Sequence, residues 1–257
     1  MPPRPHAIQL RALARDGPGS QNPRMLVSHD PPFLFVHIDK AAGSNIQHAL
    51  RPFMKTAGRN KMRRLLGLLG PLNRTGGLYR QLEFSEHAPA SRVEACLPRE
   101  VYARLYKFAF VRNPWDRLVS RHAYLLRQKK HAHSSTVNKL GSFDAYLQWE
   151  LGRGPHNGGM RHQTDYVTGA DGRCIVDFIG YFERLAEDFG EACRNIGVPA
   201  SLPPPKDHAP RGDYRSFYTE ETRDLVARAY ARDIELFGYT FEGVGAGLNR
   251  GLPTTAS

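Results

Sequence analysis

The chain has 257 residues, of which 40% are apolar, enough to bury a core at this length and too many for a wholly disordered polypeptide. Lys and Arg number 36 against 25 Asp and Glu, a formal net charge of +11, which favours a partner bearing phosphate, sulfate or carboxylate. Cys96, Cys174 and Cys193, an odd number without CxxC spacing, argue against a disulfide framework and a structural zinc site. No apolar run approaches the roughly 18 residues of a bilayer span, and no signal-like apolar stretch lies near the start, so a cytoplasmic chain with no transmembrane segment is expected.

Residues 1–30 carry Pro2, Pro3, Pro5, Gly17, Pro18, Gly19 and Pro23 with little periodicity and read as a mobile or loosely packed arm, the domain starting near Pro31. Phe33, Leu34, Phe35, Val36 and Ile38 form an almost wholly apolar run of strand formers, as in a strand covered on both faces of a parallel sheet. Ile46, Ala49, Leu50 and Phe53 follow at helical spacing, so the unit is strand, tight loop, helix. Residues 55–80 mix Lys, Arg and Gly with Leu65, Leu66, Leu68 and Leu69 and read as a basic insertion with a short helix; Asn73-Arg74-Thr75 within it fits the glycosylation pattern with no secretory signal to support it.

A second unit is sharper. "YKFAFVR", 106–112, reads as a strand, and Asn113, Pro114 and Asp116 as the N-cap, N1 proline and acidic first turn of a helix whose buried face is Leu118, Val119, His122, Leu125 and Leu126. Beyond a polar break, "QKKHAHSST", come a short helix at 143–151, a strand at 175–179, a helix at 182–196 and a long helix at 220–236 with Val226, Ala229, Tyr230 and Phe237 on one side. Strands alternating with helices predict an α/β layer fold with a central, mostly parallel sheet, ligands lying at the carboxyl ends of its strands. The domain is read as 31–242 and residues 243–257 as a C-terminal tail.

Both loops of interest lie at such ends. Lys40 directly follows the first strand, and Ala41, Ala42, Gly43 and Ser44 are small enough for successive N–H groups to converge on an anion at a helix N-terminus. The glycine follows the lysine, so this is not a Walker A loop; the plainer alternative is an ordinary strand-to-helix turn with a solvated lysine. In the second loop Arg112 can fork onto a second anion with Ser120 donating to it, the alternative being a helix-cap ion pair from Arg112 to Asp116.

Together "HIDKAAGSN", 37–45, and "FVRNPWDRLVS", 110–120, resemble the sulfotransferases that use 3′-phosphoadenosine-5′-phosphosulfate (PAPS), in particular the heparan and chondroitin O-sulfotransferases and their bacterial relatives. The second stretch is a near-complete match, and the likeness continues through "VDFIGYFERLAEDF", 176–189, and 213–241. The resemblance implies a P-loop-like three-layer fold. It assigns Lys40, Ala41, Ala42, Gly43, Ser44 and Asn45 to the 5′-phosphosulfate, Arg112 and Ser120 to the 3′-phosphate, and needs no metal. Two departures stand out: Asp39 replaces the usual proline and would repel the donor unless it points away, and Ala41 and Asn45 replace hydroxyl residues. In such an enzyme Lys40 would stabilise charge on the departing phosphate oxygen.

A hydroxyl acceptor, expected to be a carbohydrate or glycoconjugate, must also lose a proton. The resemblance implies a histidine between the two loops, and "FSEHAPASRV" supplies His87, with Glu83 and Glu86 beside it and Glu86 as the second candidate. His131 and His133 suggest a metal only weakly, since no third ligand is evident. "PPPKDHAPRGDYR", 203–215, reads as a lid or an ordinary long loop. A P-loop-type nucleotide kinase is weakened by the order of lysine and glycine. A basic nucleic-acid-binding protein is permitted by charge, but no basic stripe interleaved with aromatics or known module supports it, so no nucleic-acid partner is expected.

Overall fold

The computed structural model describes residues 25–54, 84–154, 158–203 and 212–245. The expected arm up to residue 24, the basic insertion with its sequon, Glu83, most of the 203–215 loop and the tail beyond residue 245 lie outside the described residues.

Four strands, β1 (Leu26–His29), β2 (Pro32–Val36), β3 (Tyr106–Val111) and β4 (Phe178–Tyr181), form one sheet in that order. β1 is antiparallel to β2, whereas β2, β3 and β4 are parallel. The sheet therefore begins at Leu26, ahead of the boundary expected at Pro31. Polar and proline-rich neighbours hide this short edge strand in the sequence.

Between β2 and β3 lie α1 (Gly43–Leu50), α2 (Ala90–Cys96) and α3 (Arg99–Arg104); between β3 and β4 lie α4 (Pro114–Arg127), α5 (Ser134–Leu140), α6 (Phe143–Arg153) and α7 (Thr164–Val167). After β4 come α8 (Leu185–Ile196), α9 (Glu220–Ala229) and α10 (Ala231–Phe237), then a small ribbon of β5 (Tyr239–Thr240) and β6 (Gly243–Val244).

Alternation along the parallel strands feeds two cores. Phe33, Phe35, Phe108 and Phe110 pack on one face with Ile46 and Leu50 of α1 and Phe189 of α8. Leu34, Val36, Ala109 and Val111 pack on the other with Val93 of α2, Val167 of α7 and Phe237 of α10. Gly180 lies opposite Phe110 in the pairing, and a Cβ there would fall 2.5 Å from that ring, so the bulk of Phe110 dictates a glycine. A third cluster joins Trp115, Leu118 and Leu125 of α4 to Val137, Tyr146, Leu147 and Val226. The result is the expected P-loop-like α/β arrangement, a central mostly parallel sheet between helices.

Several local expectations shift. Leu126, expected on the buried face of α4, is 40% exposed because Leu125 alone turns into the core there. The fourth strand runs 178–181 rather than 175–179: Ile175 instead donates its N–H to the Val167 oxygen at 2.9 Å. The long C-terminal helix breaks at Tyr230, whose φ of −113° leaves the helical region, while its hydroxyl donates to the Met160 oxygen at 3.0 Å.

Candidate active site

Val36 of β2 lies opposite Ala109 of β3, so both strands end at one edge and their loops emerge side by side. The loops touch directly: Arg112 Nη1 donates to the main-chain oxygen of Lys40 at 3.2 Å.

In the first loop φ is +65° at Lys40 and +63° at Ala42, with Ala41 between them on the negative side. Non-glycine residues reach the left-handed region at a cost of about 1 kcal/mol each. Alternating φ signs are the backbone pattern of an anion-binding nest, and the N–H groups of Gly43 and Ser44 in the first turn of α1 add the positive end of the helix dipole. Asn45 and Ile46 N–H groups close onto the Ala42 oxygen at 3.0 and 3.2 Å. Ala41 contributes differently from its neighbours: its side chain is buried in the core and its N–H donates to the Ile38 oxygen at 3.4 Å, bracing the turn. Ser44 is exposed and Asn45 half-buried. The Lys40 ammonium lies 4.1 Å from the centre of the Tyr124 ring on α4.

Asp39 does point away. Its Oδ1 is 2.5 Å from Arg117 Nη2 and its Oδ2 3.3 Å from Arg121 Nη1. Burial alone would raise this carboxyl, but the two guanidinium groups outweigh it and hold the pKa down at about 2. Arg117 is fully buried, donating also to the main-chain oxygens of Asp39 at 3.0 Å and Arg161 at 2.9 Å.

The second loop is tied at every backbone group. Arg112 N–H donates to Gln163 Oε1 at 2.9 Å and Gln163 Nε2 returns a bond to the Arg112 oxygen at 2.8 Å. Asp233 in turn accepts from the N–H groups of Gln163 and Thr164 at 2.8 and 2.9 Å. Asn113 caps α4, accepting from Trp115 N–H at 3.1 Å, and gives its own N–H to Glu183 Oε1 at 2.7 Å. The Arg112 side chain makes the helix-cap pair weighed above, Nε and Nη2 lying 2.7 and 2.6 Å from Asp116 Oδ2, and stacks 3.8 Å over Phe182. Ser120 is buried on α4, one turn beyond Asp116 and Arg117 on the same face.

His87 reaches the base of the first loop. Its Nδ1 is 3.0 Å from the main-chain oxygen of His37. A carbonyl only accepts, so Nδ1 carries a proton, and in the neutral ring Nε2 keeps its lone pair. The ring is 43% exposed, with Nε2 3.8 Å from Glu86 Oε2. Glu86 Oε1 is 3.0 Å from His37 Nδ1. Burial raises the Glu86 carboxyl, yet the hydrogen bond from His37 and, in acid where they are protonated, the charge of both imidazoles bring it below its ordinary value, so it is ionised at neutral pH.

Lys40, Arg112 and His87 thus converge around one sheet edge. Sequence reasoning missed His37, Gln163, Glu183 and Asp233. A histidine inside the apolar run that ends β2 was the available signal for His37; the other three act through contacts more than 50 residues away in the chain and leave no local pattern. Among the described residues no group of three or more His, Cys, Asp or Glu is arranged to hold a metal ion. His133 instead has Nε2 2.9 Å from Arg153 Nη2. No helix among the described residues is long and apolar enough to cross a membrane.

Comparison with known proteins agrees with this geometry. A protein of Archaeoglobus fulgidus described only as uncharacterized is 30% identical over 117 residues, covering 44% of this chain and 86% of that protein. The family model described as "Sulfotransferase family" matches residues 23–240, from just before β1 to β5. With both loops and the whole four-stranded sheet inside that match, the chain belongs to the sulfotransferase family.

Proposed function

We propose that this chain moves a sulfuryl group from PAPS to a hydroxyl of a carbohydrate or glycoconjugate acceptor. The observation that carries the reading is the direct meeting of two anion-binding loops, Arg112 Nη1 on the Lys40 oxygen, beside an imidazole whose Nε2 is left as an acceptor. The residues fit a ligand with an anionic group at each end: a nest with a lysine on one loop and a planar guanidinium on the other, with Asp39 turned away from both.

When bound, the donor supplies a sulfuryl group on a phosphate leaving group. The loop N–H groups at 42–44 hold its 5′ end, with the Asn45 side chain beside them, and Arg112 with Ser120 holds the 3′-phosphate. Lys40 meets the charge that gathers on the bridging oxygen as the sulfur–oxygen bond breaks, an interaction stronger in the transition state than in the ground state. His87 Nε2 takes the proton of the acceptor hydroxyl as its oxygen bonds to sulfur, and the Glu86 carboxylate stabilises the imidazolium. The rest of the rate comes from in-line positioning.

The test has two stages. Adenosine 3′,5′-bisphosphate is expected to raise the melting temperature, whereas ATP with magnesium and duplex DNA do not; the reverse order would favour a kinase or a nucleic-acid binder. Labelled PAPS is then offered with a panel of carbohydrate hydroxyl acceptors. His87→Ala is expected to keep nucleotide affinity and lose about 10²- to 10⁴-fold in single-turnover transfer. A near-normal rate there with a collapse in Glu86→Gln would move the base to the carboxylate.

A further inference from the structure

We propose that His37 is a positioning residue that ties the donor loop to the base: its main-chain oxygen holds His87 Nδ1, its imidazole holds Glu86 away from His87 Nε2, and its ring fills the space over Gly43. The inference rests on the reading of His87 as base.

Three contacts carry it. His37 follows β2 and is buried, at 4% exposure. A Cβ on Gly43 would fall 1.7 Å from His37 Cδ2 and 1.8 Å from Nε2, so the imidazole lies where any side chain at the first position of α1 would stand. The ring and the start of the donor loop therefore move together. Nδ1 lies 3.0 Å from both Glu86 Oε1 and Gln47 Nε2; a carboxylate oxygen only accepts, whereas an amide can turn its oxygen in place of its nitrogen, so the Nδ1 proton goes to Glu86. Burial, the largest influence, holds this imidazole below its ordinary pKa despite the carboxylate, so the donor is a neutral ring at physiological pH. The His37 and His87 rings meet edge to face with centroids 4.6 Å apart.

The charged groups around this contact are Glu86, His87, Asp39 and, acting on Glu86, Arg51. Within that set, His37 decides where the Glu86 carboxylate points. Deprived of the His37 proton, Glu86 is 3.8 Å from His87 Nε2 and free to accept a hydrogen bond from it. That bond would draw the His87 proton from Nδ1 to Nε2 and remove the lone pair the acceptor hydroxyl needs.

His37→Phe keeps a ring over Gly43 and removes the donor; His37→Asn restores a donor at the place of Nδ1. The measurements are long-range ¹H–¹⁵N correlation of the histidine rings in the ligand-free protein, calorimetry with adenosine 3′,5′-bisphosphate and single-turnover transfer. Wild type is expected to hold His87 as the Nδ1–H tautomer and His37→Phe to shift it to Nε2–H. That variant should transfer about 10- to 100-fold more slowly, the scale of one charge-assisted hydrogen bond, with nucleotide affinity unchanged. His37→Asn should recover the tautomer and most of the rate. Glu86→Gln, altering a partly exposed side chain that cannot upset the core, should keep the Nδ1–H tautomer and lose about tenfold in rate. A His37→Phe protein with the wild-type tautomer and rate would overturn the proposal, as would His37→Asn falling as far as His37→Phe, or Glu86→Gln at full rate should His37→Phe not fold. If His87→Ala transfers normally the base reading fails, while the His87 tautomer in His37→Phe still decides the His37 contact.

Discussion

Asp39 and Arg117 form an ion pair between the β2–α1 loop and α4, Oδ1 to Nη2 at 2.5 Å, with the guanidinium fully buried. The carboxylate that stands beside Lys40 in the sequence therefore spends its charge on the helix rather than on an incoming anion. The same guanidinium takes the main-chain oxygen of Asp39. In place of the stiffness of a proline, the loop gains a charged anchor that orients its carbonyl away from the nest.

Removing that carboxylate leaves Arg117 buried with an uncompensated charge, so Asp39→Asn is expected to cost about 3 kcal/mol at neutral pH. The pH dependence has a definite sign. The folded pKa of about 2 lies below the ordinary 3.8. The stabilisation is therefore complete above the unfolded value and is lost as pH falls from about 4 towards 2, about 2 kcal/mol in all. Urea denaturation of wild type and Asp39→Asn across acid pH checks both statements. The gap between them should narrow below about pH 3, and equal stability at neutral pH would refute the anchor.

Arg112 is already engaged with Asp116, with the Lys40 oxygen and with the Phe182 ring. Arg112→Ala is expected to weaken adenosine 3′,5′-bisphosphate by about 1.5 to 3 kcal/mol while leaving AMP nearly unaffected, because the 3′-phosphate is what the fork would hold. Arg112→Lys should resemble the alanine variant more than wild type, since one ammonium cannot span Asp116, the loop carbonyl and a phosphate together. Isothermal titration with both nucleotides decides this; a lysine variant at wild-type affinity would reduce Arg112 to a point charge.

Lys40 is the residue for which binding and rate should separate. In the proposed reaction its interaction would strengthen as the leaving oxygen gains charge, so Lys40→Ala should lower single-turnover transfer by more than it weakens product-nucleotide binding. A fall in affinity at constant rate would make Lys40 a binding residue alone. Tyr124→Leu, which removes the ring 4.1 Å from the ammonium, is expected to give a smaller loss in the same direction.

What could be read from the sequence follows the range of the interactions. The two strand-to-helix units were legible because a strand covered on both faces must be apolar throughout, and because Asn113 with Pro114 announces a helix start through bonds no longer than two residues. The short β1 was not, since an edge strand of four residues needs only one partner to form. The turning of Asp39 towards Arg117 and Arg121 is a choice between partners that only folding brings near, and so is the Glu86–His37 bond. In both cases the residue types were visible in the sequence and their orientation was not.

Gln163 is the clearest case of a residue invisible in sequence yet bound to the site, and it yields the sharpest test. Fully buried, it satisfies both main-chain groups of Arg112, accepting from its N–H and donating to its oxygen. Gln163→Leu leaves both unpaired away from water, at an expected cost of about 2 to 4 kcal/mol in stability. Because this amide contacts the backbone that aims the guanidinium, its effect on ligand binding should pass through Arg112. Gln163→Leu should thus weaken adenosine 3′,5′-bisphosphate more than AMP, and in combination with Arg112→Ala the losses in affinity should fall well short of their sum. The measurement is a double-mutant cycle by calorimetry at a temperature where all four proteins are folded. Strict additivity would mean that Gln163 acts on the nucleotide by some route other than Arg112, and an undiminished affinity in Gln163→Leu would mean that the arginine holds its aim without this support.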